Sequence, residues 1–144
     1  MASSVKTRSP SALTGLRRGA FLGYRWLLAA FLLAGVVQIF LAGLGAFRLQ
    51  DQGLSDGAFA PHRALGFTIA GIALLILVLA VIARPGTSAI TLSAVLVLLT
   101  SLMQSLLAGL AENHTIYGGL HAFDGLLLLG IAGWLYVWSR RREA

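Results

Sequence analysis

The sequence predicts an all-α integral membrane four-helix bundle. Of 144 residues, 58% are hydrophobic and only 11% are charged, and the mean hydropathy of +0.85 is too high for a small soluble domain, which needs more polar surface. Four apolar stretches each reach the roughly 20 residues that a helix needs to cross a bilayer. The basic residues cluster at the ends of these stretches, as lipid-headgroup anchors do, which argues against a nucleic-acid partner.

We predict a helical domain over residues 21–139, with basic tails at 1–20 and 140–144. The four spans within this domain are predicted at residues 26–47, 64–83, 88–111 and 116–138. The first span is expected to be a retained anchor, because it is too long for the apolar region of a cleaved signal. The N-terminal tail is rich in Ser, Arg and Gly and is expected to be disordered. Arg84-Pro85-Gly86 predicts a tight turn between the second and third spans, because proline cannot continue a helix.

The distribution of basic residues predicts the orientation. Only Arg48 and Arg63 fall on one side of the predicted membrane. The other side carries nine basic residues: Lys6, Arg8, Arg17, Arg18, Arg25, Arg84, Arg140, Arg141 and Arg142. Positive charge is retained on the cytoplasmic side, so we expect a multi-pass protein of the cell membrane with both termini in the cytoplasm.

Two parts of the sequence resemble each other. The pattern Q-x-x-L-A-G-L occurs at residues 38–44 and again at 104–110, and each copy is followed by His-x-x-x-Gly, at 62–66 and 121–125. We interpret this as duplication of a two-helix hairpin, giving parallel repeats around an axis along the membrane normal. Such an axis would place His62 and His121 at similar depth on opposite sides of the bundle centre.

The matched histidines are the candidate cofactor ligands. Ionisable groups are costly inside a bilayer and therefore mark functional sites. Two neutral imidazoles that face each other in a helix bundle suit the iron of a b-type haem. Arg48 and Arg63, at the same end, would pair with the haem propionates. The alternative for each histidine is a helix cap or a headgroup contact.

Three further polar residues belong to the candidate site. Gln38 and Gln104 form a second matched pair and are candidates either for cofactor contacts or for hydrogen bonds between helices. Asp124 lies three residues after His121 and would orient an imidazole, pair with Arg63 or act as a catalytic acid or base. Small residues near the histidines could leave room for a flat ring; these are Gly43, Gly45, Gly66 and Gly125.

The sequence resembles one half of the haem A synthase family from about Gln38 to the end of the fourth span. The resemblance is carried by Leu44 to Ser55, by His62-Arg63-x-x-Gly66, by Gln104 to Gly109 and by His121. It implies a four-helix bundle with a haem-ligating histidine pair on the second and fourth helices, at His62 and His121. The chain is also similar to small four-helix membrane proteins of actinobacteria that carry a domain of unknown function.

The chain departs from the haem A synthase pattern in three respects. Phe59 stands where the catalytic bundle of that family has a glutamate, the cysteine pair of some members is absent, and one bundle provides only one haem site. A homodimer would supply a second bundle but not the glutamate. The resemblance therefore implies haem binding more than haem A synthesis, and we expect a protein that is not an enzyme.

The function expected from the sequence is that of a b-type haem protein, which transfers electrons or handles haem for a respiratory membrane complex. One alternative is a cofactor-free accessory subunit of such a complex. Another is a haem A synthase-like enzyme that acts on a lipid-soluble substrate, with Asp124 as the acid or base. The expected partners are the lipid bilayer and either a respiratory complex or a second copy of the chain.

Overall fold

The structure, a computed structural model, describes residues 10–52 and 57–142, which form helices joined by short turns. No strand occurs in these two ranges, so the expected all-α class is confirmed. The elements are α1 (Pro10–Gln52), α2 (Ala60–Ala83), α3 (Thr87–Leu98), a π-helical turn (Leu99–Met103), α4 (Gln104–Ala111) and α5 (Thr115–Arg141).

Four helices of the described chain are long and apolar enough to cross a membrane. The third of them is continuous from Thr87 to Ala111, because the π-helical turn joins α3 to α4 without a break. The four predicted spans therefore correspond to α1, α2, the α3–α4 helix and α5, and each observed helix extends beyond its predicted span.

Helix α1 begins much earlier than its predicted span, at Pro10. Residues 10–20, which were expected to be disordered, are thus helical, while residues 1–9 of the predicted tail lie outside the described part. Proline suits the first position of a helix because its missing N–H has no partner there. Adding a turn to an existing helix is also much cheaper than nucleating one. At the other end α5 runs to Arg141, so the predicted tail at 140–144 begins as helix, and residues 143–144 are not described.

The predicted turn between the second and third spans is confirmed. Arg84 adopts the left-handed conformation, with φ 50° and ψ 55°, and its N–H donates to the carbonyl of Ala80 at 2.9 Å, which ends α2. Gly86 has φ 145°, a conformation that side chains disfavour. The Gly86 carbonyl then accepts from Ile90 N–H at 3.2 Å and starts α3.

The four long helices form a bundle in which α2 and α5 lie on one diagonal. Helix α1 packs against both α2 and α5, and the α3–α4 helix packs against the same two. No Cα atom of α2 comes within 8 Å of one of α5, although both helices are described completely. Only long side chains can therefore meet between α2 and α5.

The buried core lies towards the end of the bundle that carries the described termini. It is built from large side chains of α1 and small or aliphatic side chains of the other helices: Tyr24, Leu28, Phe31, Ile69, Ala73, Ile76, Ala80, Ala89, Leu96, Leu128, Ala132 and Leu135. The alanines let α2 and α5 approach their neighbours closely, as small residues do between membrane helices.

The outer surface of the bundle is strongly apolar. Large side chains such as Leu33, Phe40, Phe67 and Phe123 are between 67% and 77% exposed. A soluble monomer rarely exposes so continuous an apolar surface. This surface is the one expected of helices that are surrounded by lipid.

Candidate functional site

The end of the bundle away from the core contains the first histidine–glutamine pair, between α1 and α2. His62 lies in the first turn of α2, directly after Pro61. Its Nδ1 lies 3.2 Å from the Gln38 carbonyl oxygen of α1. The side-chain amide of Gln38 returns a hydrogen bond from Nε2 to the carbonyl of His62 at 2.9 Å. These two residues therefore connect α1 to α2 by a reciprocal pair of bonds.

The same arrangement recurs between α4 and α5. The Nδ1 of His121 lies 3.1 Å from the carbonyl oxygen of Gln104, and Gln104 Nε2 donates to the carbonyl of His121 at 3.0 Å. Corresponding atoms in the two pairs thus make corresponding bonds at nearly equal distances.

A glycine stands beside each glutamine amide. A Cβ added to Gly66 would lie 3.3 Å from Gln38 Nε2, and one added to Gly125 would lie 3.8 Å from Gln104 Nε2. Each glycine follows its histidine by one helical turn. Because glycine has no side chain, each glutamine amide can lie close to the backbone of the neighbouring helix. The approach is closer at Gly66 than at Gly125.

The two pairs bring the imidazole rings together across the α2–α5 diagonal. The centroids of the His62 and His121 rings are 6.1 Å apart and the ring planes are tilted by 60°. Both residues are partly buried. The two imidazoles are therefore neighbours across the diagonal.

The ring tautomers follow from their partners. A backbone carbonyl can only accept a hydrogen bond, so each Nδ1 that faces one carries the proton. Each Nε2 is then unprotonated and carries a lone pair, which is the form in which imidazole binds a metal.

Asp124 makes the two half-sites different. Gln104 Nε2 also donates to Asp124 Oδ2 at 2.9 Å, and Asp124 is only 6% exposed. The corresponding residue after His62 is Leu65, which cannot accept such a bond. In that half-site the second amide proton of Gln38 lies towards His62 Nε2, at 3.4 Å between the nitrogens. Gln38 Oε1 is buried and has no hydrogen-bond partner among the described residues.

The π-helical turn directly precedes Gln104. Within it, the hydroxyl of Thr100 donates to the carbonyl of Leu96 at 2.6 Å, a bond that bends helices. Helix α1 has no such turn before Gln38. Because a π-turn inserts one residue, it changes the direction in which the following side chains point, and it often occurs at functional sites.

Phe59 closes the site from the loop before α2. Its ring lies edge-on to that of His62, with centroids 6.1 Å apart and an angle of 77°. It packs directly over Gly45 of α1, where an added Cβ would lie 2.6 Å from Phe59 Cδ1. Phe59 therefore places an aromatic ring against the imidazole of His62.

The remaining candidates lie at the edge of the site. Arg48 near the end of α1 and Arg63 beside His62 are both exposed. Gly43 has open space around it. His114 lies in the turn before α5, outside the site, and its ring centroid is 6.1 Å from that of Tyr117.

The site contains too few ligands for a bare metal ion. Within residues 10–52 and 57–142, no group of three or more His, Cys, Asp or Glu side chains is placed to hold one. Protein-bound zinc takes at least three protein ligands, whereas a haem iron receives four nitrogens from its porphyrin and requires only one or two from the protein.

Several features of the site were not foreseen from the sequence. The reciprocal Gln–His bonds, the Gln104–Asp124 bond and the stacking of Phe59 over Gly45 all depend on tertiary packing. The paired Gln and His patterns indicated the first of these. Asp124 was expected to orient an imidazole, to pair with Arg63 or to act as a catalytic acid or base, and a bond from Gln104 was not among these expectations. The π-helical turn left no sequence signal that we recognised.

Fold and site together define a small all-helical protein with four helices that could cross a membrane and a histidine–glutamine pair in each half of the bundle. The chain belongs to a family of unknown function (DUF6220), whose profile matches residues 38–111, just over half of the sequence. The match begins at Gln38 and includes His62 and Gln104, whereas His121 and Asp124 lie beyond it. Comparisons with curated proteins and with solved structures gave no match.

Proposed function

We propose that this protein is a membrane haem protein that binds one b-type haem through His62 and His121. The observation that carries the proposal is the meeting of the two imidazoles across the bundle diagonal at 6.1 Å between ring centroids. A metal–imidazole bond is about 2.0 Å, and the nitrogen lies about 1.1 Å from the ring centroid, so two imidazoles that held one metal ion between them would have centroids about 6.2 Å apart. The separation in this site is close to that value.

The hydrogen bonds of the rings support the same assignment. Metal-bound histidines almost always donate their other N–H to a carbonyl or carboxylate, which fixes the ring and raises its basicity. Gln38 and Gln104 supply these carbonyls from neighbouring helices, at 3.2 Å and 3.1 Å. Both rings are therefore held with Nδ1 protonated and Nε2 unprotonated, and the amide nitrogen of Gln38 lies 3.4 Å from Nε2 of His62.

A haem held by His62 and His121 would supply one-electron transfer. The residues of the chain would hold and orient it. His62 and His121 would be the ligands, and Arg48 and Arg63 would pair with the propionates. Electron transfer or haem handling for a respiratory membrane complex follows as the role of such a site.

We also infer that the bundle arose by duplication of a hairpin and is inserted with both termini in the cytoplasm. The duplication is supported by the matched contacts of Gln38, His62 and Gly66 with those of Gln104, His121 and Gly125. The orientation is supported by the excess of basic residues at the end of the bundle that carries the described termini. In this orientation the proposed haem site lies near the outer face of the cell membrane.

The visible spectrum of the protein purified from a haem-supplemented host tests the proposal. We expect a sharp α band on reduction, and we expect both His62→Ala and His121→Ala to abolish it. His114→Ala is the matched control and should retain the full band, because that histidine lies outside the site. A wild-type protein that is colourless, or a band that survives either substitution, would refute the assignment.

One observation favours a second candidate, a cofactor-free accessory subunit of a membrane complex. Gln38 Nε2 lies 3.4 Å from His62 Nε2, near the nitrogen that an iron would use. The histidines and glutamines would then serve only as polar links between helices. Purification as a colourless but folded and helical protein, together with loss of stability in Gln38→Leu and Gln104→Leu, would support this candidate.

A further inference from the structure

We propose that His121 is the permanent ligand of the haem and His62 the exchangeable one, because Asp124 keeps a glutamine amide away from the ligand nitrogen of His121 only. This inequality, which rests on the proposed function, gives the site one ligand that can be released while the other holds the cofactor. Asp124 is then a positioning residue, since its carboxyl group acts on His121 through Gln104.

Each glutamine amide of the site has two N–H protons to donate. The first of them goes to the backbone carbonyl of the paired histidine. Gln38 Nε2 donates to the carbonyl of His62 at 2.9 Å, and the corresponding bond from Gln104 to His121 is 3.0 Å long. Because a carbonyl can only accept, these bonds fix the nitrogen end of each amide towards the histidine. The half-sites differ in the group that receives the second proton.

In the first half-site the second amide proton is directed at the ligand nitrogen. Gln38 Nε2 lies 3.4 Å from His62 Nε2, whose lone pair is the acceptor because Nδ1 of the same ring carries the proton. Leu65, at the position that corresponds to Asp124, offers no other acceptor. An iron and an amide proton cannot use one lone pair at the same time. The amide of Gln38 therefore competes with iron for His62.

Asp124 removes this competition in the second half-site. Its Oδ2 accepts the second proton of Gln104 at 2.9 Å, and the residue is only 6% exposed, so water has little access to replace the bond. Both protons of Gln104 are thus committed. Among the described residues, His121 Nε2 has no hydrogen-bond partner. His121 can therefore bind iron without first giving up a bond to these residues.

The close packing of the Gln38 amide maintains the competition at His62. A Cβ added to Gly66 would lie 3.3 Å from Gln38 Nε2, so the amide rests against the backbone of α2, next to the imidazole. When His62 releases iron, the amide proton is already in place to occupy Nε2. Exchange of one neutral hydrogen bond changes an equilibrium constant about two- to tenfold, which is the size of the inequality that we expect.

Nitrogen-15 magnetic resonance of the haem-free, full-length protein in micelles tests the placement of the amides without the cofactor. We expect both rings to carry the proton on Nδ1 and only His62 Nε2 to show the shift of a nitrogen that accepts a hydrogen bond. Asp124→Leu should move the Nε2 resonance of His121 towards that of His62, because it frees the second proton of Gln104. Asp124→Asn keeps an acceptor oxygen and should leave the resonance of His121 in place.

Haem titration of the same haem-free protein, followed by visible absorbance, tests the ligand roles. We expect His62→Ala to bind haem about two- to tenfold more tightly than His121→Ala, because only the latter must bind through the contested nitrogen. The difference should vanish when Asp124→Leu is added to both variants and should persist when Asp124→Asn is added. Circular dichroism of each variant should show unchanged helicity.

Three results would overturn the proposal. Equal Nε2 resonances of the two histidines in the wild type would show that the amides do not distinguish them. Equal haem affinities of His62→Ala and His121→Ala would show that neither ligand is the exchangeable one. A wild type that has the expected resonances but takes up no haem would refute the proposed function, and the ligand roles with it, while the placement of the amides would stand.

Discussion

The bond between Gln104 and Asp124 should stabilise the folded bundle by an amount that a double-mutant cycle can measure. The perturbations are Gln104→Leu, Asp124→Leu and the double variant. Asp124→Leu gives the second half-site the same residue type that the first has at Leu65. The bond from Gln104 Nε2 to the carbonyl of His121 is lost in both Gln104 variants, so it cancels in the cycle and only the side-chain pair remains.

The magnitude follows from the geometry. The amide donates to a carboxyl oxygen at 2.9 Å, and the acceptor residue is 6% exposed. Hydrogen bonds to charged groups contribute about 1.5–3 kcal/mol in soluble proteins, whereas side-chain bonds between membrane helices average about 0.6 kcal/mol and reach about 1.7 kcal/mol. The Gln104–Asp124 bond is short and buried, so its strength should lie near the upper end of the range for side-chain hydrogen bonds between membrane helices. We therefore expect a coupling free energy of about 1.5 kcal/mol.

The assay is unfolding of haem-free protein in mixed micelles by increasing fractions of an anionic detergent, followed by circular dichroism. The control cycle combines Gln38→Leu with Leu65→Ala, which share no side-chain hydrogen bond, and its coupling should stay below about 0.5 kcal/mol. A Gln104–Asp124 coupling no larger than this control would refute the reasoning. The cycle does not depend on the cofactor, because it measures only the packing of the apo bundle.

Two further predictions concern the glycines of the site. Gly45→Ala should lower the free energy of unfolding by about 1–3 kcal/mol in the same assay, because the new Cβ would lie 2.6 Å from Phe59 Cδ1 and 3.1 Å from the carbonyl oxygen of Ala58. Gly43→Ala is the control and should cause no loss, because Gly43 has open space around it. Equal losses in the two variants would contradict the packing of Phe59 over Gly45. Gly66→Ala should reduce the haem content of the purified protein more than Gly125→Ala does. A Cβ added at Gly66 would lie 3.3 Å from Gln38 Nε2, whereas one added at Gly125 would lie 3.8 Å from Gln104 Nε2. A larger loss of haem in Gly125→Ala would contradict this order.

The sequence was sufficient to predict the helices and their connections. Apolar length and the Arg84-Pro85-Gly86 turn are local signals, and the structure has a helix over each predicted span. The start of α1 at Pro10 was missed because polar and glycine-rich composition argues for disorder, whereas extension of an existing helix costs little. Helix ends are therefore the part of the fold that composition predicts least well.

The pairing of residues within the site could be predicted only in part. The same order of the two short patterns in each half predicted that Gln38 and His62 correspond to Gln104 and His121, because repeats preserve their internal order. It did not predict which atoms would meet. Asp124 was expected to orient an imidazole or to pair with Arg63, but the amide of Gln104 donates to it, and this depends on the direction in which α4 leaves the π-helical turn.

Electron paramagnetic resonance of the oxidised protein tests most directly whether both imidazoles bind one iron. Two imidazole ligands make ferric haem low-spin, and rings that keep a tilt near 60° should give a strongly anisotropic low-spin signal, because they act on different iron d orbitals. We expect this signal at one haem per chain in the wild type and in His114→Ala, and a high-spin signal or none in His62→Ala and His121→Ala. A high-spin wild type, or a low-spin signal that persists without His121, would contradict ligation by this pair.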